Sequence, residues 1–157
     1  MSRQTLILIA SLGSALLLAG AFAFQVFGGL APCHLCLLQR WPHAAALAIG
    51  LMALVLTSPR LHRPLAVFGA LAALTTAALG LYHTGVERNW WQGPDTCTSG
   101  DIGAISADDL LTAILEAPIV RCDEVAWQML GLSMASWNML ASLALTLIWL
   151  AAARRQN

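Results

Sequence analysis

The sequence lacks lysine altogether and has little charge of either sign. Charged residues make up 10% of its 157 residues, whereas a water-soluble domain carries about a quarter. The eight basic residues are all arginines, and they form no dense patch of the kind that binds nucleic acid. Hydrophobic residues make up 59%, and the mean hydropathy is +0.72. We therefore exclude a nucleic-acid partner and a water-soluble surface, and we expect a single membrane domain over residues 1–157.

Acidic residues are missing before position 87 and after position 124, which leaves long stretches without negative charge. Four apolar stretches predict an all-α protein with four transmembrane helices, at about 5–24, 37–57, 65–82 and 138–153. Small residues within them allow the helices to pack closely in lipid. The second stretch is the least regular, because it includes Gln39, Arg40 and His43 near one end. The first resembles a signal peptide, but its apolar region is longer than that of a signal, so we expect an uncleaved anchor.

The arginines predict the orientation of the bundle. By the positive-inside rule, arginine-rich flanks are cytoplasmic. Such arginines stand at the N-terminus, in the second connection and at the C-terminus: Arg3, Arg60, Arg63, Arg154 and Arg155. Both termini are therefore predicted to be cytoplasmic, and residues 25–36 and 83–137 to form the outside connections.

All four cysteines fall in or beside the two outside connections: Cys33, Cys36, Cys97 and Cys122. Disulfides form on that side of a membrane, and four cysteines allow three pairings. Cys33 and Cys36 form a C-x-x-C pair with no second such pair for zinc and no following histidine for haem. A bridge between them would close almost no loop, so we expect a redox-active pair. For Cys97 and Cys122, a structural disulfide is a serious alternative, since it would stabilise the loop by roughly 3 kcal/mol.

Arg40 stands four residues after Cys36. If one helix includes both, the two side chains share a face, and the positive charge favours the cysteine thiolate. Pro42 bears on this, because proline is tolerated in the first turn of a helix and costly in its interior. A helix beginning near Leu38 would accept Pro42, whereas one beginning at Cys36 would lose the hydrogen bond to the Leu38 carbonyl.

A helical apolar stripe precedes the last predicted span. Its members recur every three to four residues between positions 125 and 140: Trp127, Leu130, Met134 and Trp137. Because tryptophan favours the membrane interface, the stripe predicts a short helix lying on the outer surface.

The motifs together resemble the disulfide-bond formation protein B (DsbB) family, bacterial quinone-dependent oxidases of periplasmic disulfide carriers. The resemblance covers nearly the whole chain and rests on segments in the family's order: 32–41 (PCHLCLLQRW), 82–84 (YHT), Cys97, 122–124 (CDE) and 127–134 (WQMLGLSM).

The resemblance implies a role for each of these residues. Cys97 and Cys122 would form a loop disulfide that a DsbA-like thioredoxin-fold carrier attacks at Cys97. Cys122 would then exchange with Cys33 of a Cys33–Cys36 disulfide, through a transient Cys33–Cys122 bond. Cys36 would be the thiolate facing a membrane quinone, with ubiquinone preferred to menaquinone. Arg40 would position and polarise the quinone, and His83 would lie near the same pocket. The implied location is the bacterial inner membrane, with the cysteines periplasmic.

Three alternatives stay open at this point. One is a vitamin-K-epoxide-reductase-like enzyme, whose C-x-x-C belongs to a late span. Another is a disulfide-stapled membrane scaffold without enzymatic activity. The last is a zinc or copper site made of thiolates and imidazoles from Cys33, His34, Cys36 and His43, whereas the family resemblance implies no metal.

Overall fold

Residues 1–56, 58–94 and 120–155 are described by the computed structural model of the protein. Within these ranges the chain forms four α-helices and one two-stranded antiparallel hairpin. In chain order the elements are α1 (Arg3–Val26), α2 (His34–Val55), α3 (Pro59–Glu87), β1 (Gln128–Met129), β2 (Leu132–Ser133) and α4 (Met134–Arg154). The predicted helical class is confirmed for this part of the chain, with the small hairpin as an addition.

Three of the helices, α1, α3 and α4, are long and apolar enough to cross a membrane. The predicted spans 5–24, 65–82 and 138–153 lie inside them. The remaining helix, α2, has 22 residues and carries its polar side chains in its first half. Its crossing of the membrane stays a prediction.

The start of α2 differs from the prediction. The helix begins at His34, because Cys33 caps it: the Cys33 Sγ accepts a hydrogen bond of 3.2 Å from the backbone N–H of Cys36. Pro42 consequently lies in the helix interior, where it cannot donate to the Leu38 carbonyl. The predicted boundary at position 37 is therefore too late, and Cys36 and Arg40 belong to one helix, one turn apart.

The other helices also extend beyond the apolar stretches. α1 ends at Val26, α3 at Glu87, and α4 begins at Met134. The predicted outside connections 25–36 and 83–137 therefore include helical end turns, and their membrane boundaries stay a prediction. Hydrophobicity marks the part of a helix that suits lipid, whereas helical hydrogen bonding continues through polar end turns. The extension of α3 places His83 and Glu87 within a helix.

Glycine permits close approach of the helices, as predicted from the small residues. Trp149 of α4 is fully buried, and a Cβ atom at Gly69 of α3 would lie 2.6 Å from its indole ring. A Cβ atom at Gly80 of α3 would likewise lie 3.1 Å from Met139 of α4. The close approach of α3 and α4 therefore depends on glycine at these two positions.

The two ends of the bundle differ in chemistry. At one end, the Arg3 Nε atom donates to the Ala152 carbonyl at 3.2 Å, which ties the start of α1 to the end of α4. The second connection, with Arg60 and Arg63 beside it, lies at this same end, because α2 and α3 run in opposite directions there. The described cysteines lie at the opposite end.

The predicted surface helix before the last span is wrong. Residues 128–133 form the β1–β2 hairpin, in which Gln128 pairs with Ser133 and Met129 with Leu132. Its two turn residues, Leu130 and Gly131, both have positive φ, at 53° and 76°. Two such residues form the tight turn of a hairpin and cannot continue a right-handed helix. The apolar spacing from Trp127 to Trp137 thus arises from a hairpin followed by the first turn of α4.

Candidate active site

Two thiols lie at the N-terminus of α2. Cys33 and Cys36 are free cysteines, and their Sγ atoms are 2.9 Å apart, with the Cys33 thiol donating to Cys36. The Cys33–Cys36 disulfide implied by the family resemblance stays a prediction. The hydrogen bond to Cys36, together with burial, raises the pKa of the Cys33 thiol above its ordinary value. Of the two sulfurs, Cys36 is the one placed to carry negative charge.

A third cysteine lies beside this pair. The Cys122 side chain is fully buried, and its sulfur, the Cys33 sulfur and a ring nitrogen of His83 lie within 4.8 Å of one another. Cys122 is itself disulfide-bonded, and its partner is neither Cys33 nor Cys36, which are free. Cys97 lies outside the described residues. The structure thus brings together three of the four predicted redox cysteines.

His83 lies at the sulfurs. Its Nε2 atom is 3.6 Å from the Cys33 Sγ and 3.9 Å from the Glu87 Oε1 atom. Its Nδ1 atom is 2.9 Å from the Gln39 side-chain nitrogen. The family resemblance implied that His83 lies near a quinone pocket. In the structure its ring lies beside Cys33, and both residues line the same cavity.

Sequence analysis missed Glu87 and Ser133. The Ser133 hydroxyl donates a short hydrogen bond to the Glu87 Oε2 atom and also caps α4 by accepting from the Ser136 N–H. Both side chains lie at the end of the bundle that carries the described cysteines. The available signal was the spacing of Glu87 four residues after His83, which places both on one face of a helix. The predicted span ended at position 82, so the sequence did not indicate that His83 and Glu87 lie in one helix.

Arg40 points toward α1. One of its terminal nitrogens donates to the Gln25 Oε1 atom at 2.7 Å, and the other to the Ala21 carbonyl at 3.4 Å. The guanidinium lies 4.7 Å from the centre of the Phe22 ring, which is cation–π distance. Its Nε atom is buried without a hydrogen-bond partner. These contacts hold the Arg40 side chain in place and leave its Nε–H donor unpaired.

A cavity of about 320 Å³ opens between these groups. Its polar wall comes mainly from one face of α2, and its apolar wall from α1, the hairpin and α4. The polar lining includes Cys33, Cys36, Gln39, Arg40, His43, His83 and Asn138; the apolar lining includes Leu16, Leu17, Phe24, Trp127, Met134 and Trp137. Two buried polar atoms of the lining residues, Arg40 Nε and His43 Nδ1, have no partner. Such a cavity suits a flat, largely apolar ring that carries oxygen atoms.

The metal site considered from the sequence is not assembled. His34 is exposed at the start of α2, and the His43 Nε2 atom is bound to the Asn138 Oδ1 atom at 2.9 Å, two turns from Cys36. Within the described ranges, the cluster with metal-ligand spacing is Cys33, His83 and Cys122. Because the Cys122 sulfur is in a disulfide, it offers no thiolate to a metal in this state.

The family model described as disulfide bond formation protein DsbB matches residues 3–152 of the chain. The disulfide bond formation protein B of Stutzerimonas stutzeri (strain A1501) is 32% identical over 161 aligned positions, which cover 95% of this chain and 93% of that protein. The protein of the same name from Azoarcus sp. (strain BH72) is 31% identical, with 98% and 95% covered. That from Methylococcus capsulatus (strain ATCC 33009 / NCIMB 11132 / Bath) is 31% identical, with 92% and 90% covered. No solved structure matches the chain.

Proposed function

The chain belongs to the DsbB family of disulfide bond formation proteins, and we propose that it is a thiol:quinone oxidoreductase of the bacterial inner membrane. It reoxidises a DsbA-like periplasmic dithiol carrier and passes the electrons to a membrane quinone. The observation that carries this proposal is that Cys122 lies beside Cys33, and that Cys33 and its neighbour Cys36 line an apolar cavity.

The first half of the reaction is thiol–disulfide exchange, which requires direct contact between sulfurs. A carrier thiolate attacks Cys97 of a Cys97–Cys122 disulfide, forming a mixed disulfide and releasing the Cys122 thiolate. Attack by the carrier's second thiolate frees Cys97 and leaves the carrier oxidised. The proximity of the Cys122 and Cys33 sulfurs supports the next exchange, in which Cys122 attacks the Cys33 side of a Cys33–Cys36 disulfide. A Cys33–Cys122 bond forms and Cys36 leaves as a thiolate. The freed Cys97 thiolate then attacks Cys122, which re-forms the Cys97–Cys122 disulfide and releases Cys33, so that Cys33 and Cys36 are both reduced.

His83 stabilises the sulfurs during this exchange. Gln39 donates to its Nδ1 atom, so the proton of the neutral ring is on Nε2, the atom nearest to Cys33. A nitrogen-bound proton directed at a sulfur favours the negative charge that develops there. The Glu87 Oε1 atom lies 3.9 Å from the same nitrogen, beyond hydrogen-bond distance.

The second half of the reaction returns Cys33 and Cys36 to a disulfide. Oxidation of the two thiols to the disulfide releases two electrons and two protons, which a quinone held in the cavity would accept. Arg40 supplies a fixed positive charge one turn from Cys36 and an unused Nε–H donor for an oxygen atom. The apolar walls exclude water from the sulfur pair, which strengthens this electrostatic effect.

The arginine-rich end of the bundle supports the proposed orientation. Arg3 and Arg154 lie at the end opposite the cysteines, and by the positive-inside rule this arrangement supports a periplasmic location of the cysteines. In that orientation a soluble carrier meets the cysteine end from the periplasm, while a lipid-soluble quinone enters between the helices.

The test uses the full chain purified in detergent with decylubiquinone and a reduced thioredoxin-fold dithiol protein. The wild type should oxidise one dithiol for each quinone reduced. Cys36→Ser should abolish quinone reduction and accumulate a Cys33–Cys122 disulfide, visible by peptide mass spectrometry. Absence of turnover, with the cysteines inert to mild reductant, would instead identify a stapled scaffold.

A further inference from the structure

A chain of buried hydrogen bonds runs from the thiol pair into the bundle and ends at His43. Gln39 and Asn138 are its central members, and the Asn138 Nδ2 atom donates to the Gln39 Oε1 atom at 2.7 Å. The His43 imidazole, 3% exposed, lies at the inner end of this chain. Neither the proposed cysteine relay nor Arg40 gives His43 a function.

The direction of each hydrogen bond follows from one backbone carbonyl. The Leu35 carbonyl can only accept, so the Gln39 atom 3.0 Å from it must be the amide nitrogen. The Gln39 oxygen then faces Asn138 and must accept, which turns the Asn138 nitrogen toward Gln39 and its oxygen toward His43. Thr76 agrees with this assignment, because its hydroxyl donates to the Gln39 carbonyl and accepts from Asn138.

This order fixes the tautomer of His43. The Asn138 Oδ1 atom, 2.9 Å away, accepts from the His43 Nε2 atom, so the proton of the neutral ring is on Nε2. The Nδ1 atom is left with a bare lone pair, and it is buried with no hydrogen-bond partner. A buried acceptor without a donor costs about 1–3 kcal/mol, which is a reason to look for the donor that completes it.

A molecule bound in the cavity can supply that donor, because His43 lines the cavity. His43 and Arg40 project from the same side of α2 and both line the cavity. They offer opposite chemistry: the Arg40 Nε–H can only donate, and the neutral His43 Nδ1 can only accept. A carbonyl oxygen satisfies the first, whereas the second requires an O–H group.

We infer that His43 is a binding residue for the reduced form of the membrane quinone, accepting a hydrogen bond from a quinol hydroxyl. The inference rests on the proposed function, because it concerns the same cavity. A quinone has no O–H to donate, so His43 discriminates between the two forms and binds the product. Interactions made only after reduction favour the forward reaction.

Binding is measured with the full chain in detergent, without oxygen, using decylubiquinone and decylubiquinol as probes. His43→Phe keeps an aromatic ring but removes the acceptor, so its Kd for the quinol should rise roughly 3- to 10-fold, the value of one hydrogen bond, with the quinone Kd unchanged. His43→Gln, which retains an acceptor oxygen, should restore most of the quinol affinity. His62→Phe is the matched control, because His62 is also buried but bonds the Leu56 carbonyl at the other end of α2.

A second readout uses the wild type and needs no variant to fold. In 15N-histidine NMR spectra, decylubiquinol should shift an unprotonated Nδ1 resonance that decylubiquinone leaves in place. Equal loss of both affinities in His43→Phe, or an NMR signal from a protonated His43 Nδ1, would overturn the inference. If the wild type bound neither probe, the proposed quinone function itself would fail. If His43→Phe bound both probes with the wild-type ratio of quinone Kd to quinol Kd, only the role of His43 would be rejected.

Discussion

Cys33 and Cys36 have different environments at the same end of the bundle. Cys33 is buried, caps α2 and contacts His83, whereas Cys36 faces the cavity and Arg40. This difference supports the separate tasks that we propose for the two thiols. It also makes the contribution of individual neighbours measurable.

Replacing His83 should slow disulfide exchange. We expect His83→Phe to lower the rate of electron transfer from the reduced loop cysteines to the Cys33–Cys36 disulfide by about 10- to 100-fold, because a hydrogen bond to a charged group is worth about 1.5–3 kcal/mol. Rapid-quench alkylation with mass spectrometry measures this rate. His34→Phe is the control, since His34 lies beside the same cysteines but is exposed. An equal effect of both substitutions would contradict the role of His83.

Replacing Arg40 should affect the quinone more than the exchange. We expect Arg40→Ala to reduce kcat/KM for decylubiquinone by roughly 10- to 100-fold, the value of a charge-assisted hydrogen bond. The rate of loop exchange should change far less. Arg88→Ala removes a comparable charge that lies over Trp90 at the outer surface, and it should leave both steps unchanged. Equal loss of both steps in Arg40→Ala would be inconsistent with quinone positioning.

The raised pKa of Cys33 predicts a pH dependence. Its first cause is the hydrogen bond to Cys36, so the Cys33 thiol should stay protonated to higher pH than an ordinary cysteine. Cys36→Ala removes the acceptor, and the pKa of Cys33 should fall toward its ordinary value. Iodoacetamide labelling of Cys33 as a function of pH, in Cys36→Ala and in the wild type, measures the shift. A curve that did not move to lower pH would show that burial alone sets the pKa.

At the scale of elements, glycine positions determine how closely α3 and α4 approach. We expect Gly69→Ala to destabilise the bundle by about 1–3 kcal/mol, because the added Cβ overlaps the buried Trp149 ring. Gly20→Ala is the matched control in α1, where a Cβ meets nothing within 4 Å and alanine favours the helix by about 1 kcal/mol. Thermal unfolding in detergent compares the two. An unfolding midpoint that is lower for Gly20→Ala than for Gly69→Ala would contradict this prediction.

The elements also show where sequence analysis reached its limit. Apolar runs located three helices, because lipid selects for uninterrupted hydrophobicity. They could not find the capping role of Cys33, the polar end turn that carries His83 and Glu87, or the hairpin at Leu130. Each of these depends on local backbone geometry that hydrophobic spacing does not report. Cysteine spacing and the position of Arg40 pointed to residues that the structure places at the cavity. Gln39, Asn138 and Ser133 can be recognised only from the residues that they contact in the folded chain.

For the whole molecule, the two chemically different ends predict a fixed orientation. A reporter fused after residue 155 should show cytoplasmic behaviour, with a fluorescent protein folded and alkaline phosphatase inactive. An alkaline phosphatase inserted between Asp123 and Glu124, near the cysteines, should be active. The opposite pattern would place the cysteines in a reducing compartment and exclude periplasmic disulfide formation.

The burial of the Cys122 sulfur determines which atom of its disulfide can be attacked. Cys122 is 0% exposed, so an external thiol has no open approach to its sulfur and must attack the other sulfur of the disulfide. Cys122 is then the leaving thiolate, and it is released beside the Cys33 sulfur. In the proposed relay, burial of one atom thus directs the exchange toward Cys33.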